Sequence, residues 1–351
     1  PRELVSFPNG LLHLPSGELL PPTSQFFTRN ALSFDYDPDA PEPAAWLRFL
    51  QEVWPGDDER DCLDALQDFM GYTLTPDTSM QKALLIVGRK RSGKGTIGRV
   101  WVELEGRHNT TSPTLNSLSR DFGLEPLLGK QLAIISDMRL GAKTDPAAVA
   151  ESLLRITGED AVTINRKYKA AITTTLPVRF VVLTNLLPKF SDTSGALASR
   201  FIVLPMQQSF YGREDRNLTR KLLAELPGIL NWAIEGWRRV QARGYLTEPR
   251  VGREAIEHMV DLATPIPAFV RECCRVGPNA TVDKGKLFHA FRTWHFERYG
   301  TEARYSSKEW FSRDLYAAVD GVRGTRTNTG DRLYTGIELI EEPPANPEDL
   351  F

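Results

Sequence analysis

The chain has 351 residues, 41% hydrophobic and 25% charged, which is enough apolar material for two or three packed domains and excludes disorder over most of its length. A formal net charge of −2 excludes an overall positive field, so any nucleic-acid contact has to come from local basic patches. Cys62, Cys273 and Cys274 form neither a C-x-x-C pair nor a zinc-type spacing with histidine, so a structural metal or disulfide framework is not expected and a reducing, cytoplasmic setting in a bacterial host fits. No apolar run approaches bilayer-spanning length and no basic-then-apolar leader opens the chain, so no membrane association is expected. The first residue is Pro1 rather than Met, and upstream sequence is expected to be missing.

Residues 1–42, with "PNGLLHLPSGELLPP", read as short extended pieces separated by hairpin punctuation. Residues 43–75 carry apolar positions at helical spacing, split by "WPGDD", and predict two helices. From 83 onward the pattern changes to near-continuous apolar runs, "ALLIV" (83–87), "LAIIS" (132–136) and "RFVVLT" (179–184). Runs of this kind suit strands covered on both faces, which gives an α/β core. Between the second and third lies the β-branched, basic stretch 161–176, read as a hairpin with Arg166, Lys167, Tyr168 and Lys169 at its tip. Helical patterns return after about 210, notably over 220–240, and "TPIP" (264–267) introduces a last unit. That unit reads as helix, helix, then a Gly/Arg-rich extended pair, the outline of a winged helix with Arg323, Arg326 and Arg332 on the wing and Lys284 and Lys286 opening the first helix. Its arginines are candidates for DNA phosphates, with a packing or oligomer-contact module as the alternative. The acidic, proline-rich tail 341–351 is expected to be disordered.

The chemistry concentrates where the first apolar run breaks into "GRKRSGKGT". A strand, a glycine-punctuated basic turn and a helix-compatible "TIGRVWVEL" are what a phosphate-binding loop needs: glycines turn backbone N–H groups toward phosphate, and a lysine reaches the outer oxygens. Gly88, Ser92, Gly93, Lys94, Gly95, Thr96 and Ile97 form this expected nucleotide site. Gly95 occupies the usual Ser/Thr place, which leaves Thr96 as the candidate hydroxyl for Mg²⁺. Asp137 closes "LAIISD", where an acid would hold the metal and orient water; an aspartate starting a turn after a strand is the lesser alternative. Asn185 ends the third run, either to sense the γ-phosphate or as an ordinary strand cap. Arg200 precedes the short apolar run "FIVLP" and suits either a surface ion pair or transition-state charge on a neighbouring subunit's ATP. Cations on a hairpin tip grip phosphates and an interleaved aromatic can stack on a base, so the 166–169 tip is a candidate DNA contact, with a solvated turn as the bland reading.

Lys94, Asp137, the 166–169 hairpin, Asn185 and Arg200 follow one another as in superfamily 3 helicases, and the chain resembles the branch found in phage and plasmid primase-helicases and in the poxvirus primase-helicase. The likeness is carried by "GRKRSGKGT", "LLGKQLAIISDMR", the stretch from "ITGEDAVTINRKYK" to "ASRFIVLP", and upstream by "NGLLHLPSGELLPPT" and "LQDFMGYTLTPDTSMQKALLIVG". This resemblance implies an AAA+-like P-loop NTPase that forms a ring, usually a hexamer, around one DNA strand and translocates 3′ to 5′ with ATP and Mg²⁺. It implies Lys94 and Thr96 as the Walker A pair, Asp137 as the Walker B acid, Asn185 as sensor, Arg200 as a trans-acting finger, and the hairpin facing the channel. Two departures stand out: Met138 and Arg139 follow Asp137 where many relatives carry a second acid, and Gly95 replaces the usual hydroxyl. The domain organisation expected is a collar-like α+β region (1–80), the motor (81–245), a winged helix (265–340) and the tail, with a primase domain or primase partner as in relatives. An origin-binding or loading ATPase without processive unwinding, and a DNA-binding regulator with a vestigial loop, are the competing readings.

Overall fold

In the computed structural model, which describes residues 3–136, 145–188, 196–263, 265–299, 307–326, 330 and 332–340, the chain forms two units, Pro1–Met259 and Val260–Phe351. Asp137 and the tail 341–351 lie outside the described residues. The first unit opens with an antiparallel sheet of three short strands, β1 (Leu4–Phe7), β2 (Gly10–His13) and β3 (Glu18–Leu20), where the sequence predicts extended pieces. Helices α1 (Ala44–Val53) and α2 (Arg60–Thr73) follow on either side of the "WPGDD" break. Trp46, Phe49, Leu50 and Val53 form the buried stripe of α1, the three-and-four spacing that brings side chains to one face of a helix.

The chain then passes through β4 (Ala83–Gly88), α3 (Lys94–Glu105), β5 (Thr110–Thr111), α4 (Leu115–Leu118), β6 (Leu132–Ser136) and α5 (Pro146–Thr157). The hairpin β7 (Val162–Arg166) and β8 (Lys169–Thr174) comes next, followed by β9 (Arg179–Thr184), α6 (Ala196–Ser199), β10 (Phe201–Met206), α7 (Leu218–Leu223), α8 (Leu226–Arg243) and α9 (Arg250–Ala263). The three apolar runs of the sequence are β4, β6 and β9. With β5 and β10 they make one parallel sheet in the order β10-β4-β9-β6-β5. From β4 the chain goes to the far edge, returns through β6 and β9, and crosses β4 to reach β10. The carboxyl end of β4 therefore opens between two neighbours, the kind of crevice where open α/β sheets bind ligands.

Side-chain alternation divides the sheet's apolar content between two cores. Leu84, Ile86, Ile134, Val181 and Ile202 face one cluster with α1, α2, α3 and α8, while Ala83, Leu85, Ile135, Val182 and Val203 face the other with α5. Burial on both faces is why these strands read as continuous apolar runs. Val5, Leu12, Trp46 and Leu66 belong to the same cluster as Leu84 and Ile97, so residues 1–80 share a core with the sheet.

The second unit contains α10 (Pro265–Cys273), β11 (Cys274–Asp283), α11 (Lys284–Tyr299), α12 (Lys308–Ala318), β12 (Arg323–Arg326) and β13 (Arg332–Leu339). Its strands form an antiparallel sheet in the order β11-β13-β12, and Phe269, Phe291, Phe311, Leu315 and Tyr334 fill the core beneath. The two helices and the extended pair stand where the sequence predicts them; β11 does not appear in that reading. "VGPN" interrupts its alternation, and the pairing of β11 with β13 slips between Val276 and Thr281.

Candidate nucleotide-binding site

β4 ends at Gly88, where a Cβ would come within 2.6 Å of Met206 on β10, so glycine is what lets the two strands close around the exit. Arg91 and Gly93, with φ of 62° and 102°, then wind the chain back into α3. A Cβ on Gly93 would meet the Phe49 ring at 3.0 Å, because α1 abuts the turn. Left-handed backbone and this close approach both favour glycine.

Lys94 is the first residue of α3, and its ammonium folds back into the loop. Nζ donates to Gly88 O at 2.6 Å, Arg89 O at 2.9 Å and the Ser92 hydroxyl at 3.1 Å. All three donors therefore go to neutral oxygens. Among the described residues no carboxylate lies within ion-pair distance, and burial lowers its pKa. A half-buried cation with no counter-charge among the described residues, at the positive end of a twelve-residue helix, suits an anion. The donor set therefore fits a polyphosphate.

Thr96 is half-buried, and its hydroxyl accepts from Arg99 Nη2 at 3.1 Å. Ser92 is buried, with its hydroxyl 3.5 Å from the Met206 sulfur, and Ile97 points into the core. Gly95 is exposed, and a Cβ there would meet nothing nearer than Arg99 Nη1 at 3.3 Å. Among the described residues no cluster of three His, Cys, Asp or Glu could hold a metal unaided. Thr96 is the described hydroxyl beside the loop that could ligate a metal held with phosphate oxygens.

Asn185 follows β9, whose Thr184 pairs with Val87, so Asn185 stands level with Gly88 beside the loop. Arg200 does not join this group. It precedes Phe201, which pairs with Ala83 at the opposite end of β4. Arg200 thus stands level with Lys82, and the six steps from there to Gly88, at about 3.3 Å each, cover roughly 20 Å, beyond an arginine's reach. The loop, Thr96 and Asn185 come together, whereas Arg200 faces away from its own chain's loop.

A cavity of about 500 Å³ adjoins the loop, with Arg48, Phe49, Thr96, Arg99, Phe210 and Arg213 in its wall. Apart from the loop's own Thr96, none of these stands out in the sequence. Only Arg99, three residues after Thr96 on the same helix, carries a signal, and it ties Thr96 to Thr219 at 3.2 Å.

Two basic patches lie elsewhere. At the tip of the β7–β8 hairpin, Lys167 and Tyr168 form a two-residue turn in which Tyr168 has φ 58° and is 94% exposed. Lys167 Nζ lies 5.2 Å from its ring centroid. The Arg166 guanidinium is used internally, donating to Ala170 O at 2.9 and 2.7 Å, so Lys167, Tyr168 and Lys169 are the outward-facing members. In the second unit Arg323, Arg326 and Arg332 line an open groove with Lys284 and Tyr316. Lys284 Nζ donates to the Tyr316 hydroxyl at 2.9 Å and sits 4.6 Å from the Tyr334 ring centroid, a cation held on aromatic faces.

Two known families match parts of this chain: residues 86–200 match a family of unknown function (DUF5906), and residues 1–55 match the D5 N terminal like family. The fold also has solved counterparts. The chain is similar to the C-terminal region of NrS-1 in its A-form apo structure, with TM-score 0.52 and 11% identity, over 87% of this chain and 78% of that one. An A-form apo structure of NrS-1 residues 305–718 matches with TM-score 0.53 and 12% identity, over 90% and 79%. A further apo structure of that region matches with TM-score 0.52 and 11% identity, over 89% and 82%. At such identities the likeness is one of fold. Among the described residues no helix is long and apolar enough to cross a membrane.

Proposed function

We propose that this chain is an ATP-dependent replicative DNA helicase of a phage, plasmid or integrated element, a ring motor on single-stranded DNA and the helicase part of a primase-helicase. The observation that carries the reading is Lys94, a half-buried ammonium that donates to three neutral oxygens and has no carboxylate partner among the described residues, at the glycine turn between β4 and α3. The D5 N terminal like match over residues 1–55 and the fold likeness to the NrS-1 C-terminal region support the primase-helicase-like part. The parallel order β10-β4-β9-β6-β5 is compatible with an AAA+-like core, and the helix-helix-hairpin content of the second unit supports a winged helix.

In this reading Lys94 and the loop N–H groups hold the nucleotide's phosphates, and Asn185 polarises the attacking water. Thr96 and Asp137 would hold Mg²⁺, which would supply charge neutralisation at the phosphates when bound. Arg200 serves the loop of a neighbouring copy, consistent with its place at the far end of the sheet. Lys167, Tyr168 and Lys169 grip the strand, and Arg323, Arg326 and Arg332 take duplex phosphates.

Hydrolysis measured with and without single-stranded DNA, alongside strand displacement on a forked duplex, tests the proposal. The expected result is DNA-stimulated hydrolysis together with displacement. Hydrolysis without displacement would favour the loading ATPase, and no hydrolysis under any condition would remove the motor.

A further inference from the structure

Gln81, immediately before the lysine that leads into β4, has no role in the chemistry described above, yet it touches two parts of the machinery at once. Its backbone is left-handed, with φ 52°, closed by a bond from its own N–H to Thr78 O at 2.9 Å. Glutamine gains nothing by itself from that conformation, and residues held there against preference cluster at switches and ligand clamps. The Gln81 side-chain oxygen accepts from Arg200 Nη1, and its main-chain oxygen accepts from the same nitrogen at 3.4 Å. The other end of the amide, Nε2, donates to Gly158 O at 3.4 Å.

Gly158 closes α5, and a Cβ there would lie 3.6 Å from Arg200 Nη2, so arginine, amide and helix end are packed together. Glu159, with φ 64°, accepts the Thr78 hydroxyl at 2.5 Å, and β7 begins three residues later at Val162. The segment 78–81 thus holds Arg200 with one hand and the root of the basic hairpin with the other. Arg200 also lines an open groove along α5 with Glu151, Leu154, Arg155 and Gly158, so its guanidinium has a face toward solvent.

We propose that the Gln81 side-chain amide couples Arg200 to the root of the β7–β8 hairpin, so that engagement of Arg200 with an anion on a neighbouring copy alters the residues that grip a DNA strand. The inference rests on Arg200 acting in trans and on the hairpin contacting DNA. Its chemistry is specific: an amide accepts at one end and donates at the other, a carboxylate only accepts, and a thioether makes neither strong bond. An arginine drawn toward phosphate must loosen its bond to Oε1 or pull the amide with it. Either movement disturbs the bond to Gly158.

The test uses the full chain as wild type, Gln81→Glu, Gln81→Met and Arg200→Ala. Hydrolysis is measured with and without single-stranded DNA, fluorescent-nucleotide affinity reports on the Lys94 loop, and thermal melting reports on folding. Gln81→Glu keeps an acceptor for Arg200 but has no donor for Gly158, and Gln81→Met lacks both. Both variants are expected to lose about five-fold or more of the DNA stimulation ratio while nucleotide affinity stays at the wild-type value. Wild-type stimulation in Gln81→Glu would overturn the coupling, and that near-isosteric variant decides the matter if Gln81→Met fails to fold. If Arg200→Ala hydrolyses ATP like the wild type, the trans-acting reading fails instead, whatever the Gln81 variants do.

Discussion

The two ends of the five-stranded sheet treat their cations differently. At the amino end, Lys82 pairs with Glu248 at 2.6 Å, and the buried Arg179 donates to Thr73 O and to Pro177 O at 2.9 Å while facing the buried Glu105. Lys82 finds its counter-charge inside the fold, and the Arg179 guanidinium is spent on main-chain carbonyls beside the Glu105 carboxyl. At the carboxyl end, Lys94 has carbonyls and a hydroxyl but no carboxylate among the described residues. Arg200 is the exception at the amino end, held by Gln81, with no ion pair among the described residues. The difference separates cations that hold the fold together from cations that await a ligand. It also places Lys94 and Arg200 at opposite ends of the sheet, the arrangement that the proposed ring of head-to-tail copies requires.

Removing the waiting cation on the loop side gives the largest expected effect. Lys94→Ala should lower hydrolysis by about 10³-fold, as deletion of a preorganised transition-state donor does, with a much smaller effect on melting temperature, because the bonds it loses go only to oxygens of its own loop. Equal loss of stability and activity would instead make Lys94 one of the fold's own charges.

The internal side of the contrast is tested by pH. Both carboxyl oxygens of Glu105 lack a hydrogen bond, because the Trp101 indole N–H goes to the Thr73 hydroxyl and that hydroxyl to Met70 O. Burial pushes the Glu105 carboxyl up from 4.5 to about 7. The folded chain therefore keeps a proton that the unfolded chain has released, and stability falls as pH rises through this window. Glu105→Gln should match the wild type near pH 5 and exceed it near pH 8 by on the order of 3 kcal/mol, read from denaturant midpoints at the two pH values. A variant less stable than the wild type at pH 8 would mean that the ion pair with Arg179 outweighs the burial.

The hairpin supplies a third contrast, between a spent cation and free ones. Tyr168→Ala should cost about 1–3 kcal/mol in single-strand affinity, and Lys167→Ala should reduce the salt slope by about 0.7, both by fluorescence anisotropy. The smallest change is expected at Gly95→Ser. The added side chain meets only Arg99 Nη1, at 3.3 Å, so stability should stay within about 1 kcal/mol by thermal melting.

Much of this contrast is legible in the sequence, for physical reasons. A strand buried on both faces writes itself as "ALLIV", and a turn that reverses within a few residues needs Gly88 and Gly93, so the loop can be read from spacing alone. The "RKYK" tip is readable because β-branched runs flank it, although the retirement of Arg166 onto Ala170 O is not. Gln81 leaves no trace, since a polar residue before a strand is ordinary and its meaning comes from partners 77 and 119 positions away. The burial of Arg179 and Glu105 is hidden likewise, because charged residues inside apolar segments look like surface until the fold buries them. β5 is too short for periodicity, and β11 is masked by its own irregularity.

Arg200 is proposed to complete the loop of another copy, and a mixture of two disabled chains separates that role from one within its own chain. Lys94→Ala keeps its arginine, and Arg200→Ala keeps its loop. Each alone should be nearly inactive, and an equal mixture should recover about a quarter of the wild-type rate, the share of head-to-tail interfaces that random assembly makes whole. Full activity of Arg200→Ala alone, or a mixture no more active than its components, would contradict the account.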